Sequence, residues 1–178
     1  MHAYQILPNY TYADYLLWEG RWEIIQGIAY AMSPMPSPRH QRIANNTGKI
    51  LKDSLISSKC KCQVYQPIDL KITEHTVVNP DLLIVCSPII KQFLDFPPAL
   101  VVEILSPSSE MKDRNTKYQL YETFGIKYYI IIDPDIEKIE IYHLNNDGKY
   151  YLIADNHLPL ILNTECNITP LWDQVFTE

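Results

Sequence analysis

The sequence predicts an α/β (α+β) fold with a mixed central β-sheet flanked by helices, and three observations carry that prediction. The runs LLIVC (82–86), ALVVEIL (99–105) and KYYIIID (127–133) have the continuous hydrophobicity of strands covered on both faces. Two longer segments, 39–57 and 110–124, repeat their apolar residues at helical spacing. Turn-forming residues divide much of the rest into hairpins, so strands and helices alternate along one chain.

The elements follow in order. A short helix is predicted over 12–18, with Thr11 as its cap. Residues 21–25 and 28–32, hinged at Gly27, read as a hairpin, after which prolines 34, 36 and 38 break the chain. From 39 to 57, Ile43, Ala44, Ile50, Leu51 and Leu55 form the apolar stripe of an amphipathic helix. Segments 62–66 and 68–72 read as strands divided by Pro67. After the strands at 82–86 and 99–105, a helix is predicted over 110–124, capped by Ser108 or Ser109 and stopped by Gly125. The strand at 127–133 precedes a hairpin, 137–144 with 149–154, turned at Asp147-Gly148. Residues 166–176 read as neither helix nor strand with any clarity.

At 178 residues the chain has the length of one domain, 1–178, able to bury roughly two thirds of its unfolded surface. Its 47% hydrophobic content argues against disorder. No window reaches the ~18 to 20 apolar residues of a spanning helix, and the N-terminus lacks the layout of a signal peptide, so the expected location is cytoplasmic with no membrane partner. Fifteen basic against 21 acidic residues, a net charge of -6, speak against coating nucleic acid by bulk charge but leave a local site open. Cys60, Cys62, Cys86 and Cys166 show no paired C-x-x-C spacing, and ordinary reduced thiols are expected rather than zinc. There is no P-loop and no G-x-G-x-x-G.

Several charged residues stand where apolar ones belong. Alternation in ALVVEIL puts Leu100, Val102 and Ile104 on one face and Val101, Glu103 and Leu105 on the other, so Glu103 points into a covered layer. An unpaired carboxylate there costs several kcal/mol or takes up a proton. Asp81 directly precedes another central strand, where a turn residue is the plainer reading. Lys117 shares a helical stripe with Leu120, Tyr121 and Phe124, the face that meets the sheet, unless its ammonium escapes to water. The coincidence of two inward carboxylates and an inward ammonium in consecutive elements favours one joint site. His40, one turn ahead of Ile43 on the inward stripe, and Glu23, in the strand WEII, are weaker candidates.

Two carboxylates at adjacent strand ends suit Mg²⁺ or Mn²⁺, which bind through one or two carboxylates plus water and substrate phosphate. A neighbouring lysine can orient a water and offset charge developing on phosphate oxygens. The set fits metal-assisted phosphodiester hydrolysis, with Asp81 and Glu103 as metal ligands.

The runs NPDLLIV (79–85), VVEILSPSS (101–109) and KDRNTKYQLYETFGIKYYIIIDP (112–134), with WEIIQGIAYAMSPMPSPRHQRI (22–43) upstream, resemble the Uma2 family, also known as DUF820, of predicted restriction endonucleases within the PD-(D/E)xK nuclease superfamily. The resemblance implies a restriction-endonuclease-like core with an added N-terminal β-hairpin, and a Mg²⁺-dependent endonuclease acting on DNA. Pro80-Asp81 matches the metal-binding Asp of that pattern and Glu103 its (D/E). Position 105, where the pattern has Lys, is Leu, and the resemblance implies a lysine migrated to the following helix, which Lys117 matches. Glu23 and His40 match positions that support the site.

Two alternatives stand beside that expectation: a nuclease-fold DNA-binding or assembly module without catalysis, and a buried ion network unrelated to nucleic acid. Six of the 15 basic residues, Arg39, Arg42 and Lys49 among them, lie in 39–61, either as a DNA-contacting stretch or as a solvated helix face. Tyr142, Tyr150 and Tyr151 in the C-terminal hairpin could supply a homodimer interface or be ordinary strand aromatics.

Overall fold

The computed structural model of the chain describes residues 7–32 and 35–178, so Pro34 lies outside the described residues. Its centre is a six-stranded mixed sheet in the order β10-β9-β8-β7-β6-β3. These strands are β3 (Gln63–Tyr65), β6 (Leu82–Val85), β7 (Leu100–Ile104), β8 (Tyr128–Asp133), β9 (Lys138–Leu144) and β10 (Tyr150–Leu152). Only β7 and β8 pair in parallel, and the segment between them carries the helix expected from its periodicity. β6, β7 and β8 are the three apolar runs of the sequence, buried at every position but Asp133.

Alternation along these strands builds two cores. Leu82, Ile84, Leu100, Val102, Ile104, Ile130 and Ile132 face one layer, covered by Ile43, Ile50, Leu51 and Leu55 of α2 (Pro38–Ser57) and by a C-terminal hairpin of β11 (Leu160–Asn163) and β12 (Cys166–Ile168). Leu83, Val85, Val101, Tyr129 and Ile131 face the other, where Tyr121 and Ile126 cover them. The Ser37 hydroxyl accepts from the His40 amide and Pro38 opens the helix, so α2 starts where its cap and proline dictate. The 166–176 segment resolves into β12 and a 3₁₀ turn, Trp172–Gln174, whose Trp172 and Val175 complete the first core.

The N-terminal hairpin of β1 (Trp22–Ile25) and β2 (Ile28–Ala31) forms as expected, but not alone. It joins β5 (Thr76–Val78) and β4 (Leu70–Thr73) in a second, four-stranded sheet of order β2-β1-β5-β4. β5 is three residues long and carries no pattern a sequence could display. α1 (Tyr12–Tyr15) is shorter than predicted, held by a capping box between Thr11 and Asp14.

Two further expectations change. The predicted helix over 110–124 is divided: residues Lys112–Lys117 form a π turn that runs into α3 (Tyr118–Phe124), with no side-chain cap at its start. Gly125 ends α3 in the left-handed conformation, φ 87°, as its position predicted. The four cysteines are not free thiols. Cys60 bridges Cys166 and Cys62 bridges Cys86. The second bridge continues the β3–β6 pairing one step beyond Gln63 and Val85, and the first fastens β12 to the end of α2. Partners 24 and 106 residues apart become neighbours only through the β3–β6 pairing and through the packing of the β11–β12 hairpin against α2, which cysteine spacing cannot reveal. No helix among the described residues is long and apolar enough to cross a membrane.

Candidate active site

The site lies on the second face of the central sheet, where the π turn crosses it and the N-terminal sheet abuts it. Glu103 occupies the inward position of β7 that alternation assigned to it and is 3% exposed. Register pairs Leu82 with Val102, so Asp81, one residue earlier, stands beside Glu103. The Ile104 amide donates to Oδ2 of Asp81 at 2.8 Å, which fixes that carboxylate at the open end of β6.

Lys117 is buried, and its ammonium does not escape to water. Nζ lies 2.9 Å from Oε1 of Glu103, 2.9 Å from Oε1 of Glu23 and 3.4 Å from Oδ1 of Asp113. A π turn closes its hydrogen bonds at i→i+5, and this widening brings side chains four apart nearly into line, so Asp113 and Lys117 both face the sheet. The turn is braced from outside, where Arg114 meets Glu140 at 2.8 Å, and from beneath, where the Tyr129 hydroxyl donates to the Asp113 carbonyl at 3.0 Å.

Glu23 is wholly buried, and the Asn79 amide donates to its Oε1 at 3.1 Å while Lys112 pairs with its Oε2. Asn79 continues the polar chain to Asp69 at 2.9 Å, and Asp69 accepts from the Tyr15 hydroxyl at 2.8 Å. Tyr121, one α-turn beyond Lys117, donates its hydroxyl to Oε1 of Glu103 at 2.6 Å. His40 reaches the site from the first turn of α2, with Nε2 3.2 Å from the Ile104 carbonyl and 3.4 Å from Oδ2 of Asp81.

Asp81, Glu103, Glu23 and Asp113 set four carboxylates against the ammonium groups of Lys117 and Lys112, an excess of two negative charges in a largely buried cluster. Burial alone would drive the proton off Lys117, but Glu103, Glu23 and Asp113 together hold it charged, its pKa well above that of an ordinary lysine. Burial would also raise Glu23, yet Lys117 and Lys112 bring it down to about 2. Glu103 and Asp113 absorb the imbalance: burial pushes both up, and the Lys117 charge only partly offsets it. Burial disfavours the charged form of His40, but the Asp81 carboxylate and the Ile104 carbonyl outweigh it and raise its pKa.

These groups line a cavity of about 360 Å³. Among the described residues, the partners of Asp81 fall on Oδ2 and those of Glu103 on Oε1, so the second oxygen of each carboxylate has no protein partner there. No group of three or more His, Cys, Asp or Glu among the described residues forms a ready cage for a metal ion. The two carboxylates at adjacent strand ends, Asp81 and Glu103, could hold a hard cation that keeps most of its own waters, such as Mg²⁺ or Mn²⁺, but not one needing a closed protein shell.

All five residues singled out in the sequence, Asp81, Glu103, Lys117, Glu23 and His40, line this one cavity. Of the three basic residues considered for nucleic acid, Arg39 lines it too and pairs with Glu137 at 3.1 Å. Arg42 and Lys49 lie farther along α2, paired with Glu178 at 3.9 Å and Asp53 at 2.8 Å. Sequence reading missed Asp113, Lys112 and Asn79, and counted Tyr121 only as packing. The four-residue spacing Asp113, Lys117, Tyr121 was the available signal for two of them, whereas Lys112 and Asn79 carry none. Tyr142 and Tyr150 of the C-terminal hairpin pack with Tyr118 and Tyr129 inside the molecule, and only Tyr151 stays exposed.

The model of the Uma2 family, described as "Putative restriction endonuclease", matches residues 12–166. The chain is 31% identical over 157 residues to "Uncharacterized protein slr1290" of Synechocystis sp., covering 82% of this chain and 80% of that protein. It is also similar in fold to the crystal structure of "a putative nuclease belonging to DUF820" from Anabaena variabilis, with a TM-score of 0.72, 15% identity, and 94% and 97% of the two chains covered.

Proposed function

The chain belongs to the Uma2 family, and from that premise we propose that it is a metal-dependent endonuclease that hydrolyses DNA phosphodiester bonds. The observation that carries the reading is the contact of Lys117 Nζ with Oε1 of Glu103 at 2.9 Å, beside an Asp81 anchored to the next strand. In this reading Lys117, delivered from the segment after β7, takes the part of the strand lysine that position 105, a leucine, does not supply.

In this proposal Asp81 and Glu103 would hold Mg²⁺ or Mn²⁺. The metal, when bound, polarises a phosphate oxygen and lowers the pKa of a coordinated water. Lys117 stays charged throughout, orients the attacking water and offsets charge on the phosphate oxygens. Glu23 and Asp113 keep the ammonium in place from the side away from the substrate. Tyr121 fixes the Glu103 carboxylate in one rotamer, and the His40 ring does the same for Asp81. If the protein acts in the cytoplasm, as this proposal has it, both disulfides meet a reducing environment.

Cleavage of supercoiled plasmid in Mn²⁺ tests the proposal. Wild type nicks or linearises the plasmid, while Asp81→Asn and Lys117→Met, with folding verified by circular dichroism, do not. Wild type that leaves plasmid and oligonucleotides intact under all divalent cations overturns it. One observation favours a second reading, a nuclease-fold module without catalysis: Lys117 already lies within 3.4 Å of three carboxylates, and among the described residues no three-ligand cage is formed. Under that reading DNA is bound but never cut.

A further inference from the structure

We propose that Tyr30, with Arg21 and Lys112, forms a nucleotide subsite at the mouth of the cavity, so that the strand entering the site is unpaired: a single strand, an overhang or a flap. The proposal rests on the nuclease reading and names the substrate class of the same site.

The placement follows from the hairpin register. β1 and β2 pair Glu23 directly with Tyr30, so both side chains rise from the same face of the hairpin. Glu23 is the shorter of the two and turns wholly into the cluster, against Lys117. Tyr30 remains outside and is 38% exposed. Arg21 precedes Glu23 by two residues, which puts it on that face as well, and it lines the cavity with no acidic partner among the described residues. Lys112 lines the cavity from the other side, its ammonium on Glu23 and 5.7 Å from the centroid of the Tyr30 ring. An aromatic ring therefore stands near the Lys112 ammonium and shares a hairpin face with Arg21, opposite the Glu23 of the buried cluster.

Each part has a use on a nucleic-acid strand. The ring offers a π-face to a base, the interaction that single-strand binders use without regard to sequence. Arg21, which has no acidic partner among the described residues, can take a phosphate beside that base, and Lys112, held by Glu23, adds positive charge near the ring. A base inside continuous duplex already has both faces stacked, and reaching Tyr30 would require unpairing it. The rest of the surface does not favour duplex. Duplex binding relies on many free cations to displace counterions. Here the net charge is -6, and of the six basic residues in 39–61 Arg39, Arg42 and Lys49 have an acid within 4 Å.

Fluorescence anisotropy with a labelled ten-nucleotide oligothymidylate, and with the same strand in duplex, tests this, using Ca²⁺ so that substrate is held without turnover. The single strand is expected to bind roughly tenfold more tightly than the duplex, and Tyr30→Ala to weaken it by roughly tenfold while Tyr30→Phe, which keeps the π-face, binds like wild type. Equal or tighter binding of duplex, or unchanged binding by Tyr30→Ala, overturns the subsite and leaves the nuclease reading standing if plasmid is still cut. Binding of neither strand, with no cleavage by wild type, removes the nuclease reading and the subsite together.

Discussion

Lys117 of the π turn meets Glu23 of the N-terminal hairpin at 2.9 Å, and through this contact the two sheets share one buried ionic cluster. Removing either leaves the other with fewer partners, Lys117 with Glu103 and Asp113 and Glu23 with Lys112. Lys117 is 3% exposed and Glu23 is fully buried, so truncating either leaves a charge with no access to water.

Lys117→Met should therefore lower the unfolding free energy by about 3 to 5 kcal/mol, the cost of breaking a buried pair on one side. Urea denaturation measures it. The double variant Lys117→Met with Glu23→Gln should recover part of that loss, because the partner charge is gone as well. A loss in the single variant below about 1 kcal/mol would show that water reaches the cluster.

Acid should weaken the fold through Glu23. Its pKa falls from the ordinary 4.5 to about 2 in the folded chain. A depressed carboxylate contributes stability that is complete above pH 4.5 and is lost as the pH falls toward 2. The contribution is about 3 kcal/mol, from the roughly 1.4 kcal/mol that one pKa unit represents. The stability difference between wild type and Glu23→Gln should shrink by that amount between pH 5 and pH 2. Glu103 and Asp113, whose raised values favour the protonated forms, follow the opposite trend, and part of their rise comes from Glu23 itself.

Mg²⁺ or Mn²⁺ should raise the melting temperature, since a cation that binds only the folded state stabilises it by about 2.7 kcal/mol at a hundredfold excess over Kd. EDTA should reverse the rise, and Asp81→Ala or Glu103→Ala should abolish it. A metal response that survives in both variants would place the cation elsewhere.

Reducing agent should lower the melting temperature without unfolding the central sheet. In the chain-entropy account, a bridge spanning 106 residues contributes about 5 kcal/mol and one spanning 24 about 3. Cys60→Ser with Cys166→Ser should lose the larger share and loosen β11 and β12, read by hydrogen exchange in 160–168. Faster exchange spread evenly over β6, β7 and β8 instead would contradict this local account.

The central sheet was legible from sequence because its causes are local. Three apolar runs can only be covered strands, and the period of two in ALVVEIL already turned Glu103 into a layer that the fold does enclose. The helical stripe likewise aimed Lys117 inward without reference to any partner. Other features depend on chain segments that meet only in the folded state. β5 is too short to show a pattern, yet its pairing with β1 makes the hairpin part of a sheet and carries Glu23 to the site. Cysteine spacing gave no hint of bridges set by the β3–β6 register and by the C-terminal hairpin. Asp113 shares a four-residue spacing with Lys117 and Tyr121, but the π turn that carries it is a change in helical hydrogen bonding that periodicity does not encode. By itself, then, the sequence determined which residues are too polar for their places, since alternation and helical period are properties of neighbours along the chain. Tertiary structure alone decided what those residues touch, because desolvated charges are satisfied by whatever the packing of the two sheets and the π turn brings within 3 to 3.5 Å.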